Sequence, residues 1–300
     1  MRSHFLPASA GIKIKRNHLV TGAAIACATA LMPSIGAAQV AYDSAGNSTY
    51  GSGWSAGQNG GYGFGAWSFD GTTDPGNNSD PGGQQEISSG GAIGPSWTLH
   101  NLAPGTGQGS GISDVGRSIS EAGGLQVGQT FETVIQNPSV SGGYYSYTGW
   151  DILFTGGSAN NVAGDNTSAI RTQVFNYYNA AQNWSVNDST YSAHSHPTSI
   201  TGPTTAAAGV KIDLTLTSAT TYELTMAPLN GGASYTLDST YSGPIDYINY
   251  RLYNTASSGP NDTADNLSIS YMEIEAAPEP TSLALFGLGF AGLLFLRRKK

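Results

Sequence analysis

The chain is poor in cysteine, in charge and in helical periodicity. Its 300 residues include one cysteine, Cys27, and only 11% are charged. Cys27 sits inside an apolar N-terminal stretch, so no disulfide can staple the rest of the chain, whose stability must come from a core or from bound ions. Basic residues are the scarcest: there are 12 Lys and Arg against 20 Asp and Glu, and eight of the 12 lie in the two terminal segments. Between residues 39 and 277 only Arg117, Arg171, Lys211 and Arg251 remain, against nineteen acids, a formal charge of −15. Such a body repels nucleic acid and anionic lipid and tolerates divalent cations and neutral sugars. There is no Gly-x-Ser-x-Gly elbow and no phosphate loop.

Both ends of the chain are built differently from its middle. Arg2, Lys13, Lys15 and Arg16 precede an uncharged stretch from Leu19 to Met32, and Pro33 and Gly36-Ala37-Ala38 follow. That order predicts a secretory signal helix within residues 1–38, cut after Ala38. At the other end, Pro278-Glu279-Pro280 is followed by uncharged residues 281–296 and then Arg297-Arg298-Lys299-Lys300. At 1.5 Å per residue the apolar run spans roughly 24 Å, against about 30 Å of hydrocarbon, which predicts a short transmembrane helix. The four cations would stay among anionic headgroups on the cytoplasmic side. The prolines hold the residues before the helix extended, within reach of a protease. Gly287-Leu288-Gly289-Phe290-Ala291-Gly292 satisfies G-x-G-x-x-G but lies inside this apolar run, so it reads as small residues for helix contact rather than a nucleotide loop.

The triplet, short helix and basic terminus together resemble the PEP-CTERM sorting tail. The resemblance makes 276–300 a sorting and anchor segment, with Pro278, Glu279, Pro280, Arg297 and Arg298 as its motif. It implies cleavage by an exosortase-type membrane protease in a Gram-negative bacterium that makes exopolysaccharide. The route would be export, an inner-membrane intermediate held through residues 281–296, then the cell surface or extracellular space.

Residues 39–275 form the passenger, and its composition predicts an all-β fold, an antiparallel β-sandwich or jelly roll. Residues 63–69, 131–136, 145–154, 170–178, 244–253 and 267–274 read as strands. The strongest signal alternates Val210, Ile212, Leu214 and Leu216 with Lys211, Asp213, Thr215 and Thr217. After Ser218-Ala219-Thr220, Tyr222, Leu224 and Met226 continue it, giving a hairpin with one buried face and Lys211 toward solvent. Residues 70–91 read as a polar loop, and 101–129 as Gly- and Ser-rich with little periodicity. The early Gly-Phe-Gly-Ala-Trp at 63–67, residues 125–131 and the late Thr-rich hairpin resemble concanavalin-like sandwiches.

Few residues invite chemistry. Glu273 and Glu275 share one strand face and could form a glycosidase-like carboxyl pair, but the third acid of the concanavalin-like glycosidase pattern is missing. His194 and His196 with His100 could ligate zinc, although Pro197 and the surrounding Ser and Thr favour a solvent loop. Asp70, Asp74 and Asp80, or Asp262 and Asp265, offer oxygen ligands to calcium. Trp54 and Trp67 suit core packing better than sugar stacking. The reading is therefore a non-catalytic surface or matrix protein, structural or glycan-binding, with no required cofactor. The alternative is a secreted polysaccharide hydrolase or lyase.

Overall fold

The computed structural model describes residues 38–70, 84–101, 111–119, 124–139, 149–157, 170–177, 183–188, 195–201, 208–254 and 265–277. The expected signal segment up to residue 37, the membrane run 281–296 and the motif residues Pro278, Glu279, Pro280, Arg297 and Arg298 lie outside them. Among the described residues no helix is long and apolar enough to cross a membrane.

Fifteen strands are described. The first five are β1 (Gln39–Ser44), β2 (Ser68–Asp70), β3 (Gln84–Gly91), β4 (Gly94–Asn101) and β5 (Gly111–Ser118). Then come β6 (Thr130–Ser139), β7 (Gly149–Thr155), β8 (Ile170–Tyr177), β9 (Asn183–Asp188) and β10 (Ser195–Thr201). The last five are β11 (Val210–Leu216), β12 (Thr221–Pro228), β13 (Tyr235–Thr240), β14 (Tyr247–Asn254) and β15 (Asp265–Glu275). They form two antiparallel sheets. One has eight strands in the order β13-β12-β11-β6-β15-β4-β3, with β1 also on β15; the other has seven in the order β10-β9-β8-β7-β14-β5-β2.

Alternation explains how the sheets face each other. In β11 every second residue, Val210 to Leu216, is buried, and Leu214 stands opposite Leu224 on one side and Phe131 on the other. From the second sheet Trp150, Ile152, Phe154, Val174, Ile248 and Tyr250 enter the same core. Phe131 meets Phe154 edge-on between the sheets at 5.5 Å. The Tyr250 hydroxyl crosses to donate to Thr133 Oγ1 at 3.1 Å. Each large apolar side chain buried in this way contributes about 1.5–3 kcal/mol.

The expected sandwich and hairpin are present; several local readings are not. Residues 84–91, read as polar loop, pair with β4, and β5 crosses the Gly- and Ser-rich region and pairs with β14 over its full length. Here tertiary pairing overrides weak local propensity. Pro197 lies within β10, an edge strand of its sheet, where a missing N–H is tolerated. The strand expected at 63–69 shrinks to Ser68–Asp70, with an isolated bridge at Phe64. In β15 the apolar phase moves from Leu267 and Ile269 to Met272 and Ile274. The pairing with β6 shifts there, as a bulge requires.

The segment 47–67 packs against the sheets through a buried ion pair. Arg117 of β5 is bonded to Asp43 of β1, both fully buried. Arg117 also donates to the Gly65 carbonyl at 2.7 Å and to Asn59, and it lies over the Phe64 and Trp67 rings. Tyr50 donates to the same carboxylate. Burial, reinforced by Asp43, pushes the Tyr50 hydroxyl up to about 12, so it keeps the proton it donates. This close approach accounts for the glycines: a Cβ on Gly61 would meet the Tyr42 carbonyl oxygen at 1.9 Å.

Candidate functional site

A sheet two layers deep in a sandwich has one core face and one outward face, and the outward face of the seven-stranded sheet is unusually polar. Across it Asp114, Arg251 and Asp151 stand in register on β5, β14 and β7, and the backbone of β2 pairs with β5 at Asp114. Arg251 holds Asp151 through two bonds, Nε to Oδ1 at 2.8 Å and Nη2 to Oδ2 at 2.5 Å. Gln173 donates to the same carboxylate at 2.8 Å, and Asn187 donates to Gln173 at 3.0 Å. Asp114, Asp151, Gln173, Asn187, Asn249 and Arg251 are all buried. Leu153 and Ile170 on this face form an apolar cluster separate from the main core.

Asn249 is the anomaly in this arrangement. It is fully buried, yet neither its amide nitrogen nor its oxygen has a hydrogen-bond partner among the described residues. The Asn187 carboxamide oxygen is unpartnered in the same sense. The Asn249 oxygen lies where a Cβ on Gly116 would be, at 1.9 Å, so glycine is required at 116 to hold the amide there. A buried amide without partners costs about 1–3 kcal/mol, and such groups persist where water or a ligand completes them.

The eight-stranded sheet carries a different outward cluster. Asp213, Glu132, Glu273 and Tyr42 stand side by side on β11, β6, β15 and β1. Lys211 bridges Glu132 and Asp213, each at 2.9 Å, and the Tyr271 hydroxyl donates to Glu132. Burial pushes the Asp213 carboxyl up to about 6; Lys211 opposes the rise and Glu132 adds to it. Burial would also raise Glu132, but the hydrogen bonds from Tyr271 and Lys211 outweigh it and hold that carboxyl below its usual range. Two neighbouring carboxyls are thus pushed apart in acidity. Lys211 is on the solvent side as expected, but it is held there by two carboxylates. Glu273 and Glu275 do share a face, but Glu273 stands beside Glu132, and Glu275 beside Thr130 and Gln39.

The remaining candidates divide between corrected and undescribed. All five tryptophans, Trp54, Trp67, Trp97, Trp150 and Trp184, are buried in the core, which supports the packing reading of Trp54 and Trp67 and removes tryptophan as a stacking platform. Tyr62 is the exposed ring beside β1. His196 lies in a strand, not a loop, and its Nε2 is 3.2 Å from Asp188 Oδ2. Ser239 donates to that same oxygen, so the hydroxyl meets the carboxylate instead of the imidazole, and the three do not form a nucleophile–base relay. His194, Asp74, Asp80 and Asp262, and the side chains of His100, Asp70 and Asp265, lie outside the described residues. Among the described residues no group of three or more His, Cys, Asp or Glu is placed to hold a metal ion.

Residues 276–299 match the PEP-CTERM protein-sorting motif, so the chain carries that motif at its C-terminal end. No curated protein matches the chain. Among solved structures, the exoplasmic/lumenal domain of VIP36 in its Ca2+/Man3GlcNAc-bound form is similar over 73% of this chain and 87% of that one, at 10% identity and a TM-score of 0.44. The legume lectin-like domain from Entamoeba histolytica is similar over 71% of this chain and 90% of that one, at 10% identity and a TM-score of 0.42. A carbohydrate esterase from the Shiga toxin-encoding bacteriophage phi24B is similar over 71% and 90%, at 14% identity and a TM-score of 0.40.

Proposed function

We propose that this chain is an exosortase-sorted surface or matrix protein whose sandwich binds a neutral glycan of the exopolysaccharide type without turning it over. The sorting motif at 276–299 supports delivery through the membrane, with Pro278, Glu279, Pro280, Arg297 and Arg298 as the residues read by the protease. The observation that carries the binding reading is Asn249: a fully buried amide with both ends unpartnered among the described residues, two positions from Arg251 and on the same sheet face as the Arg251–Asp151 pair, Gln173 and Asn187. Sugar hydroxyls donate and accept at once and suit such a set. Arg251 is already held by Asp151 and is flanked by Asp114, so it is not a spare positive charge for a uronic acid polymer. Residues 39–277 should be retained on one neutral polysaccharide, and Asn249→Leu should abolish retention at an unchanged melting temperature. Retention that survives the substitution overturns the assignment to this face. Calcium-dependent retention would place Asp70, Asp74 and Asp80, or Asp262 and Asp265, in the binding unit.

The alternative, a polysaccharide hydrolase or lyase, draws on one observation: the acid raised to about 6 at Asp213 beside the lowered Glu132. Release of reducing ends or unsaturated sugars, lost in Asp213→Asn, would establish it and sink the binding reading. Intact mass of the native protein tests the sorting half; a C-terminus still at Lys300 in a processing-competent strain defeats it.

A further inference from the structure

The two ends of the described chain are tied together. Gln39 stands opposite Glu275, and the Ala276 N–H donates to the Ala38 carbonyl at 2.7 Å. Glu275 is also paired with Thr130 on β6, so the end of β15 is gripped from both sides. The matched sorting motif begins at residue 276. No spacer separates the last paired residue from the segment that a protease must read. A protease binds its substrate as an extended strand with free backbone groups, and the backbone of β15 offers none until its pairing opens.

We propose that the sheet assigns the upstream limit of sorting cleavage: in the folded protein no bond before Ala276–Ala277 is cut, and β1 sets that limit by pairing with β15. This rests on the exosortase reading above. It also links the two processing events. If the signal is cut after Ala38, the acceptor of the Ala276 N–H leaves with it. The last pair in the mature protein is then Gln39 with Glu275, and Ala276 and Ala277 become the only free residues ahead of Pro278. Those two residues are the slack on which processing depends. Cutting closer to the sheet requires transient opening of pairs, and cleavage then follows the small open population.

The test uses the full-length protein in processing-competent cells, with C-termini read by intact mass and terminal peptide mapping. The mature form should end at Ala276 or beyond. Deleting Ala276 and Ala277 should lower the processed fraction by roughly tenfold or more, the population cost of opening one or two hydrogen-bonded pairs. Adding Gly-Ser-Gly-Ser before Pro278 in the deletion background should restore it, which separates lost slack from a misfolded passenger. A processed wild type ending upstream of Ala276, a deletion variant processed like the wild type, or a failed rescue overturns the inference while leaving the sorting reading in place. A wild type still ending at Lys300 overturns both.

Discussion

Among the described residues there are two buried arginine–aspartate pairs, and they differ in how completely their surroundings are satisfied. Arg117 and Asp43 lie between the sheets, where Tyr50, Asn59, Gly65 and two aromatic rings complete them. Arg251 and Asp151 lie on the outward face of the seven-stranded sheet, in a network that passes through Gln173 to Asn187 and leaves the neighbouring Asn249 amide without partners among the described residues. The same chemistry therefore supports two roles. A closed network specifies packing, whereas the incomplete one is the basis of the proposed binding face.

The largest effect should come from breaking the closed pair. Arg117→Leu leaves Asp43 charged and buried, a loss of about 3–5 kcal/mol. For a domain of this size that lowers the melting temperature by roughly 10 °C, and a shift under about 2 °C would show that the pair is not closed as described. A smaller effect is expected at the half-exposed cluster. Lys211→Asp sets a third carboxylate beside Glu132 and Asp213 and should cost about 1–2 kcal/mol, read as a lower urea midpoint. An unchanged midpoint would return Lys211 to the status of a free surface residue.

Asn249→Leu sharpens the comparison because stability and binding should separate. Removing an orphaned amide should leave the melting temperature unchanged or raise it by roughly 2 °C, while glycan retention disappears. A fall comparable to that of Arg117→Leu would make the outward network structural as well.

The smallest effect is a pH dependence. The folded-state carboxyl of Asp213 is raised to about 6 from an ordinary 3.8. Between those values the folded protein binds more protons than the unfolded chain, so this group's contribution to stability is lost as pH rises through the window. Glu132 is lowered, so its contribution is lost as pH falls below its ordinary 4.5. Asp213→Asn should flatten the decline in melting temperature from about pH 4 to 6. A decline of the same steepness in the variant would assign it to other groups.

Much of the architecture was legible in sequence because it is periodic. The alternation in Val210–Leu216 and Tyr222–Met226 announced both the strands and their buried face, whereas the bulge in β15 between Ile269 and Met272 went unread. The sorting segment was equally plain, since charge, apolar length and prolines are properties of a contiguous stretch. Strands β3, β5 and β9 were missed because glycine, serine and asparagine lower local propensity while neighbouring strands supply the pairing.

What tertiary structure alone decided was adjacency. Asp43 and Arg117 are 74 positions apart and Asp151 and Arg251 are 100 apart, and no spacing rule connects them. The sequence offered Glu273 and Glu275 as the carboxyl pair of interest; sheet order instead set Glu273 beside Glu132, with Asp213 on the strand beyond it. An amide's partners are likewise invisible in one dimension, because hydrogen bonding depends on which strands lie alongside and which backbone leaves room. By itself the sequence determined that this is an exported, acidic, all-β chain with a sorting tail. The fold determined which of its few charges are closed into packing and which buried amide is left without partners among the described residues.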